Sequence, residues 1–229
     1  MLIHGLQKMT LLDYPGCVAC TVFLGGCDFR CPYCHNFELV DGSAEPVTDD
    51  KAFLDFLGKR KGLLDGVAIT GGEPLMRNDL DFFIRKIKEL GFKVKLDTNG
   101  YHPARLKNLI DEKLLDYIAM DIKNSFPKYA LTAGLDKADT SLIQNSIVVI
   151  MNSNIDYEFR TTVVEEFHSK EDFEQIGTAI KGAKAYYLQP YTQRDTVPCR
   201  NLHAPSEENM MLYAEAAGKF VENTQLRGM

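Results

Sequence analysis

Two periodicities alternate along this chain, and that alternation restricts the folds open to it more than any other feature. Short apolar runs rich in β-branched residues read as strands: Cys17 to Leu24, Gly66 to Thr70, Lys93 to Asp97, Tyr117 to Asp121, Tyr157 to Val163 and Ala185 to Gln189. Between them, Lys51 to Leu64, Asp79 to Leu90, Pro103 to Glu112, Thr140 to Met151 and Lys170 to Lys181 repeat apolar residues at helical spacing. Several of these open on Asp or Thr caps, and Glu207 to Glu222 reads as a closing helix. A helix after each strand makes every connection a crossover, so the strands run parallel. We expect an α/β fold of one domain, an incomplete parallel (β/α)6 barrel (a partial TIM barrel). It would have an N-terminal segment over 1–16, a barrel core over about 17–192, and a C-terminal loop and helix over 193–229. Pattern alone does not separate this curved array from a flat doubly wound sheet, but both place functional loops at the C-terminal ends of strands.

Charge and cysteine usage narrow the function classes. A net charge of -6 over 229 residues argues against a partner bound through phosphates, so no nucleic-acid role is expected. No run of about 18 uncharged apolar residues occurs and the first residues lack a basic stretch before an apolar one, which predicts a cytoplasmic protein without a membrane partner. A chain with 45% hydrophobic residues needs no disulfide staples, yet three of its six cysteines crowd between positions 27 and 34. Crowded thiols in a reducing compartment point to metal.

Those three lie in GGCDFRCPYCHN, directly after the first predicted strand. Cys27, Cys31 and Cys34 are separated by three and then two residues, so one tight loop aims three thiolates at one centre. Three ligands on a four-iron cluster leave one iron open to substrate. The spacing also allows a closed zinc site with His35 as fourth ligand. The segment CDFRCPYC, with an aromatic residue just before the last cysteine, resembles the cysteine signature of the radical S-adenosylmethionine (SAM) superfamily. That resemblance implies a 4Fe-4S cluster whose open iron is chelated by the amine and carboxylate of SAM. One-electron reduction would then release methionine and a 5'-deoxyadenosyl radical. It also implies that Tyr33 sits beside the adenine, with Cys34 and His35 lining the same pocket.

The other strand ends add polar groups. In GVAITGGEP, Gly71 and Gly72 allow close backbone approach to a ligand and Glu73 presents a carboxylate suited to a cationic amine. By itself this is also an ordinary strand-to-helix turn, but it resembles the GGE motif of the same superfamily, which contacts the methionyl amine. Asp97, Thr98, Asn99 and Gly100 end the third run, and Asp121 and Lys123 the fourth; neighbouring acids need a cation or a proton. These DTNG and DIK segments resemble those of glycyl-radical-enzyme activases. The resemblance implies cofactor contacts from Thr98, Asn99, Asp121 and Lys123, and a monovalent cation held by Asp97, Thr98 and Asp121. Alone, each is as readily a cap or turn residue. Arg160, with Thr162, matches an activase arginine that contacts the cofactor's polar groups, although a solvated salt bridge explains an arginine there equally well. Gln189 and Tyr191 end the sixth run, and Thr192 stands where those activases carry a cofactor-contacting histidine.

Other candidates rank low. Glu165, Glu166 and His168 read as a solvated loop. Cys17 and Cys20 are expected on opposite faces of a strand as core residues, and Cys199 as an inert thiol. The resemblance runs from LQKMTLLDYPGCVACTVFLGGC through YEFRTTV to YYLQPY, and is strongest to activating proteins of anaerobic ribonucleoside-triphosphate reductases, then to pyruvate formate-lyase activating enzymes. It implies an enzyme that makes a glycyl radical on a partner enzyme, taking its electron from a donor such as flavodoxin or ferredoxin. An open-sided barrel would let the partner's loop enter. Two alternatives stand beside it: a radical enzyme for a small molecule, and a non-catalytic zinc module.

Overall fold

A computed structural model describes residues 1–229. Ten strands occur in order: β1 Leu2–Ile3, β2 Gly5–Thr10, β3 Ala19–Leu24, β4 Thr48–Asp49, β5 Gly66–Gly71, β6 Lys93–Thr98, β7 Tyr117–Asp121, β8 Asp156–Val163, β9 Tyr186–Pro190 and β10 Thr224–Leu226. The α-helices are α1 Phe37–Asp41, α2 Asp50–Gly58, α3 Leu80–Glu89, α4 Pro103–Asp111, α5 Tyr129–Ala133, α6 Thr140–Met151, α7 Lys170–Ala179 and α8 Glu207–Gly218.

Strands β3, β5, β6, β7, β8 and β9 pair in parallel in the order of the chain. A doubly wound sheet must reverse its order at a switch point. No reversal occurs here, so right-handed crossovers put all the helices on one face and the sheet curls into a partial TIM barrel. The sheet is wider than the six expected strands. β2, from the N-terminal segment, pairs antiparallel with β3 at one edge, and β10 adds a seventh parallel strand beside β9 at the other. β2 and β10 do not pair with each other, so the barrel is open between them.

Strand alternation divides the molecule into two interiors. Cys20, Val22, Val67, Ile69, Val94, Leu96, Ile118, Met120, Phe159 and Leu188 are buried and form one apolar core with the helices. The intervening positions, Lys95, Asp97, Asp121, Glu158 and Arg160, carry charge and are tied to one another across the sheet. The lumen is therefore ionic, and the apolar core lies outside it.

Candidate active site

The cysteine loop leaves the end of β3 and is fastened on every side by backbone bonds. Gly26 N–H donates to the Leu39 carbonyl of α1 at 2.8 Å, Arg30 N–H to Ala133 of α5 at 2.9 Å, and Cys199 N–H to the Pro32 carbonyl at 3.1 Å. The loop after β5 is laced to the same segment: Gly72 N–H donates to Leu24 and Glu73 N–H to Gly26, both at 2.8 Å. A Cβ on Gly72 would lie 2.0 Å from the Gly26 carbonyl oxygen, so what approaches this glycine is the cysteine loop's own backbone. Gly134, with φ +67°, closes α5 against Arg30 in the same way.

Cys27, Cys31 and Cys34 line one cavity of about 420 Å³. Burial pushes the Cys27 thiol up to about 12 and that of Cys31 to about 11, and raises Cys34 as well. Such thiols are neutral until a cation displaces their protons. Nowhere in the chain do three Cys, His or acidic side chains converge on the single point that one ion requires. The His35 Nε2 lies 2.6 Å from the Thr192 carbonyl oxygen and its ring stacks on Tyr191. The zinc arrangement thus loses its fourth ligand. Three thiols around a space suit a polynuclear group, and the iron-sulfur donor set fits.

The cavity floor is the top of the ionic lumen. Arg160 Nε donates to Asp121 Oδ1 at 2.9 Å, and its guanidinium lies 3.4 Å from Asp97 Oδ2. Lys123 pairs with Asp121 at 3.3 Å, and the fully buried Lys95 bonds Asp97. Burial alone would raise the Asp121 carboxyl, but Arg160 and Lys123 outweigh it and hold it at about 2. Two cations of the chain itself, Arg160 and Lys123, thus stand beside these acids.

Of the residues singled out in the sequence, Cys27, Cys31, Tyr33, Cys34, His35, Gly71, Gly72, Asp97, Thr98, Asn99, Asp121, Lys123, Arg160, Thr162 and Gln189 all line this cavity. Glu73 is held by partners within the chain. Its carboxylate is buried and accepts from Thr98 Oγ1 at 2.8 Å, Asn99 N–H at 2.6 Å and Leu75 N–H at 3.0 Å, tying β5 to β6 instead of facing the cavity. Burial without a cationic partner raises it to about 7. Tyr191 lies behind His35 and donates to Gln193.

His168 is not solvated: it is buried, its Nε2 lies 3.0 Å from the Lys123 carbonyl oxygen, and burial lowers it into the neutral form. Glu165 and Glu166 do stay on the outside, facing Asn209 and His203. Cys20 is in the core, whereas Cys17 precedes β3 in a turn closed by its N–H on the Tyr14 carbonyl. Asp13, Phe29, Asn36, Val40 and Thr70 also line the cavity and were missed. Asp28 was missed too; it bonds His102 Nε2 and Asn99 Nδ2, each at 2.8 Å, beside Cys27. A carboxylate within the cysteine motif was the available signal.

A three-thiol loop on a partial barrel, opening over polar strand ends, is an arrangement met in cofactor-dependent radical enzymes. The sequence profile of the radical SAM superfamily matches residues 21–177, and the chain belongs to that superfamily, whose chemistry uses an iron-sulfur cluster and SAM. Within it, the chain is 34% identical over 235 residues to a Methanocaldococcus jannaschii protein named glycyl-radical enzyme activating enzyme, covering 99% of this chain and 95% of that one. It is 28% identical over 189 residues to the pyruvate formate-lyase-activating enzyme of Clostridium pasteurianum, covering 80% and 77%. The chain is an enzyme of this activase family. Among solved structures, SuiB of Streptococcus suis bound to its precursor peptide SuiA superposes with a TM-score of 0.68 at 14% identity, over 91% of this chain and 48% of SuiB. TYW1 with a lysine-pyruvate adduct gives 0.63 at 14%, over 88% and 73%. At that identity the likeness speaks for the fold alone, and this chain spans about half of SuiB.

Proposed function

We propose that this chain activates a glycyl-radical enzyme, and that its partner is an anaerobic ribonucleoside-triphosphate reductase. The observation that carries the reading is the convergence of Cys27, Cys31 and Cys34 with Gly71, Gly72 and Arg160 around one cavity. The three thiolates would hold a 4Fe-4S cluster and leave one iron for SAM. Once bound and reduced by a flavodoxin or ferredoxin, this group would split SAM and yield a deoxyadenosyl radical that takes a hydrogen atom from a backbone glycine of the partner.

The chain's own residues bind and orient. Tyr33 and His35 flank the thiols, and the backbone of Gly71 and Gly72 offers small, polar walls. Arg160, Thr162 and Gln189, from the ends of β8 and β9, present donors suited to a carboxylate or a ribose. The gap between β2 and β10 supports entry of a partner's loop from the side.

The test is electron paramagnetic resonance on the anaerobically reconstituted, reduced chain incubated with SAM and the anaerobic reductase. A glycyl doublet on the reductase, lost with Cys31→Ala, is the expected result. Deoxyadenosine released without a glycyl radical would move the partner elsewhere, to another glycyl-radical enzyme or to a small molecule.

A further inference from the structure

The lumen beneath the cavity contains more than its chemistry requires. Arg160 is the hub of a branched ionic array. Three carboxylates surround its guanidinium: Asp121 at 2.9 Å, Asp97 at 3.4 Å and Glu158 at 3.9 Å. Each is shared with one further cation. Lys123 takes Asp121, Lys95 takes Asp97, and Arg227 takes Glu158. The last pair is the most complete, because Arg227 Nη1 and Nη2 donate to the two oxygens of Glu158 at 2.9 and 3.0 Å. Its guanidinium also lies 3.6 Å from the centre of the Tyr187 ring, which fixes its plane. Tyr187 stands opposite Arg160 in the register of β8 and β9. Arg227 follows β10, and its backbone N–H donates to the Leu188 carbonyl of β9 at 3.0 Å.

We propose that Arg227 is a positioning residue for Arg160: by satisfying Glu158 from below, it leaves Arg160 to hold Asp121 and Asp97 at the cavity floor. This rests on the reading of Arg160 as a cofactor-facing group. The physical reason is the competition among the acids. Glu158 is 1% exposed and cannot turn to water. Without Arg227 it keeps the Tyr117 hydroxyl at 3.1 Å and only the long contact to Arg160 Nη1 at 3.9 Å, and a buried carboxylate so weakly paired is strongly unfavourable. Arg160 Nη1 is already 3.9 Å away and would swing down to it, abandoning Asp121. The outer cation therefore sets the height of the inner one. No short-range sequence signal links the two ends of this relay, which are 69 residues apart at Glu158 and Arg227.

The experiment uses the full chain, cluster-loaded under anaerobic conditions, in three forms: wild type, Arg227→Gln and Glu158→Gln/Arg227→Gln. Binding of SAM is measured by isothermal titration calorimetry, and a crystal structure of each form reports the partner of Arg160. Arg227→Gln is expected to weaken binding about tenfold, the scale on which outer partners of ligand-contacting groups act. In its crystal structure Arg160 is expected on Glu158. The double variant removes the competing carboxylate, so Arg160 returns to Asp121 and affinity returns to within about twofold of wild type. A purely structural role for Arg227 would lower stability while leaving Arg160 on Asp121 in the crystal structure of Arg227→Gln. Unchanged affinity in Arg227→Gln, Arg160 still on Asp121 there, or a double variant as weak as the single one overturns the proposal. A wild type that binds no SAM overturns the cofactor reading instead, and the position of Arg160 in the variants still decides the relay.

Discussion

At Gly72 one hydrogen stands where a side chain would collide with the backbone of another loop. The sequence motif made this glycine a ligand contact, and it does line the cavity, but its tightest neighbour is the Gly26 carbonyl, 2.0 Å from where a Cβ would sit. Gly72→Ala therefore pushes the cysteine loop away from β5. We expect a loss of about 1–3 kcal/mol in stability, on the scale of overpacking, together with a large drop in iron bound after reconstitution. Urea denaturation and iron analysis read the two effects separately. Glu73 carries a related lesson. The sequence offered its carboxylate to a ligand, and the structure adds three donors from its own turn and from the end of β6.

Buried acids also join the elements, beside the apolar core. Asp172, in the first turn of α7, accepts from Ser125 Oγ at 2.6 Å and Lys128 Nζ at 2.5 Å, both in the segment after β7, and from Ser169 N–H at 2.9 Å. Burial pulls its carboxyl upward, but the bonds from Lys128, Ser125 and Ser169 outweigh it and hold it below the usual carboxylate range. A carboxyl depressed on folding contributes stability above its unfolded value, near 3.9, and loses it as pH falls through the folded one. Asp172→Asn should thus cost about 2 kcal/mol at neutral pH, with the gap to wild type narrowing below about pH 4. Denaturant midpoints of both proteins across that range check this; a constant gap would mean that charge is not what Asp172 contributes. Helix α5 belongs to the same scale. Five residues are too few to show a helical period, yet α5 clamps the cysteine loop through Ala133 and Gly134.

Over the whole molecule, two interiors with opposite chemistry share one sheet. The apolar one, between strands and helices, holds the fold together; the ionic one, inside the barrel, leads to the cavity. Lys95, 1% exposed, belongs to the second, whereas Lys107 pairs with Asp111 on the surface with both side chains more than half exposed. Lys95→Met removes the buried cation bonded to Asp97 and leaves it only the longer contact to Arg160, and about 3 kcal/mol of stability should be lost. Lys107→Met removes an ion pair of the same type and should produce no measurable change in urea denaturation, because solvent screens it.

Local pattern made much of this legible. Six parallel strands, the helices between them and the three cysteines are written in contiguous residues, as periods of two and 3.6 and as a fixed spacing, and each recurs in the structure, although the helix expected over Lys51 to Leu64 ends at Gly58. The two outer strands were not legible. β2 has three exposed residues in a row, Gln7 to Met9, and β10 has three residues, so neither carries an apolar period, and both form because an edge of the sheet offers unpaired backbone groups. Nor could sequence tell where the acids at the strand ends point. That choice depends on donors brought from distant segments: Thr98 and Asn99 to Glu73, Arg160 to Asp121, Arg227 to Glu158. Sequence by itself determined the order of elements and the grouping of the three thiols, because both depend on neighbours along the chain. Only the tertiary structure decided which charges face the cavity and which are consumed beneath it, because a buried charge takes whatever counter-charge the fold places within reach.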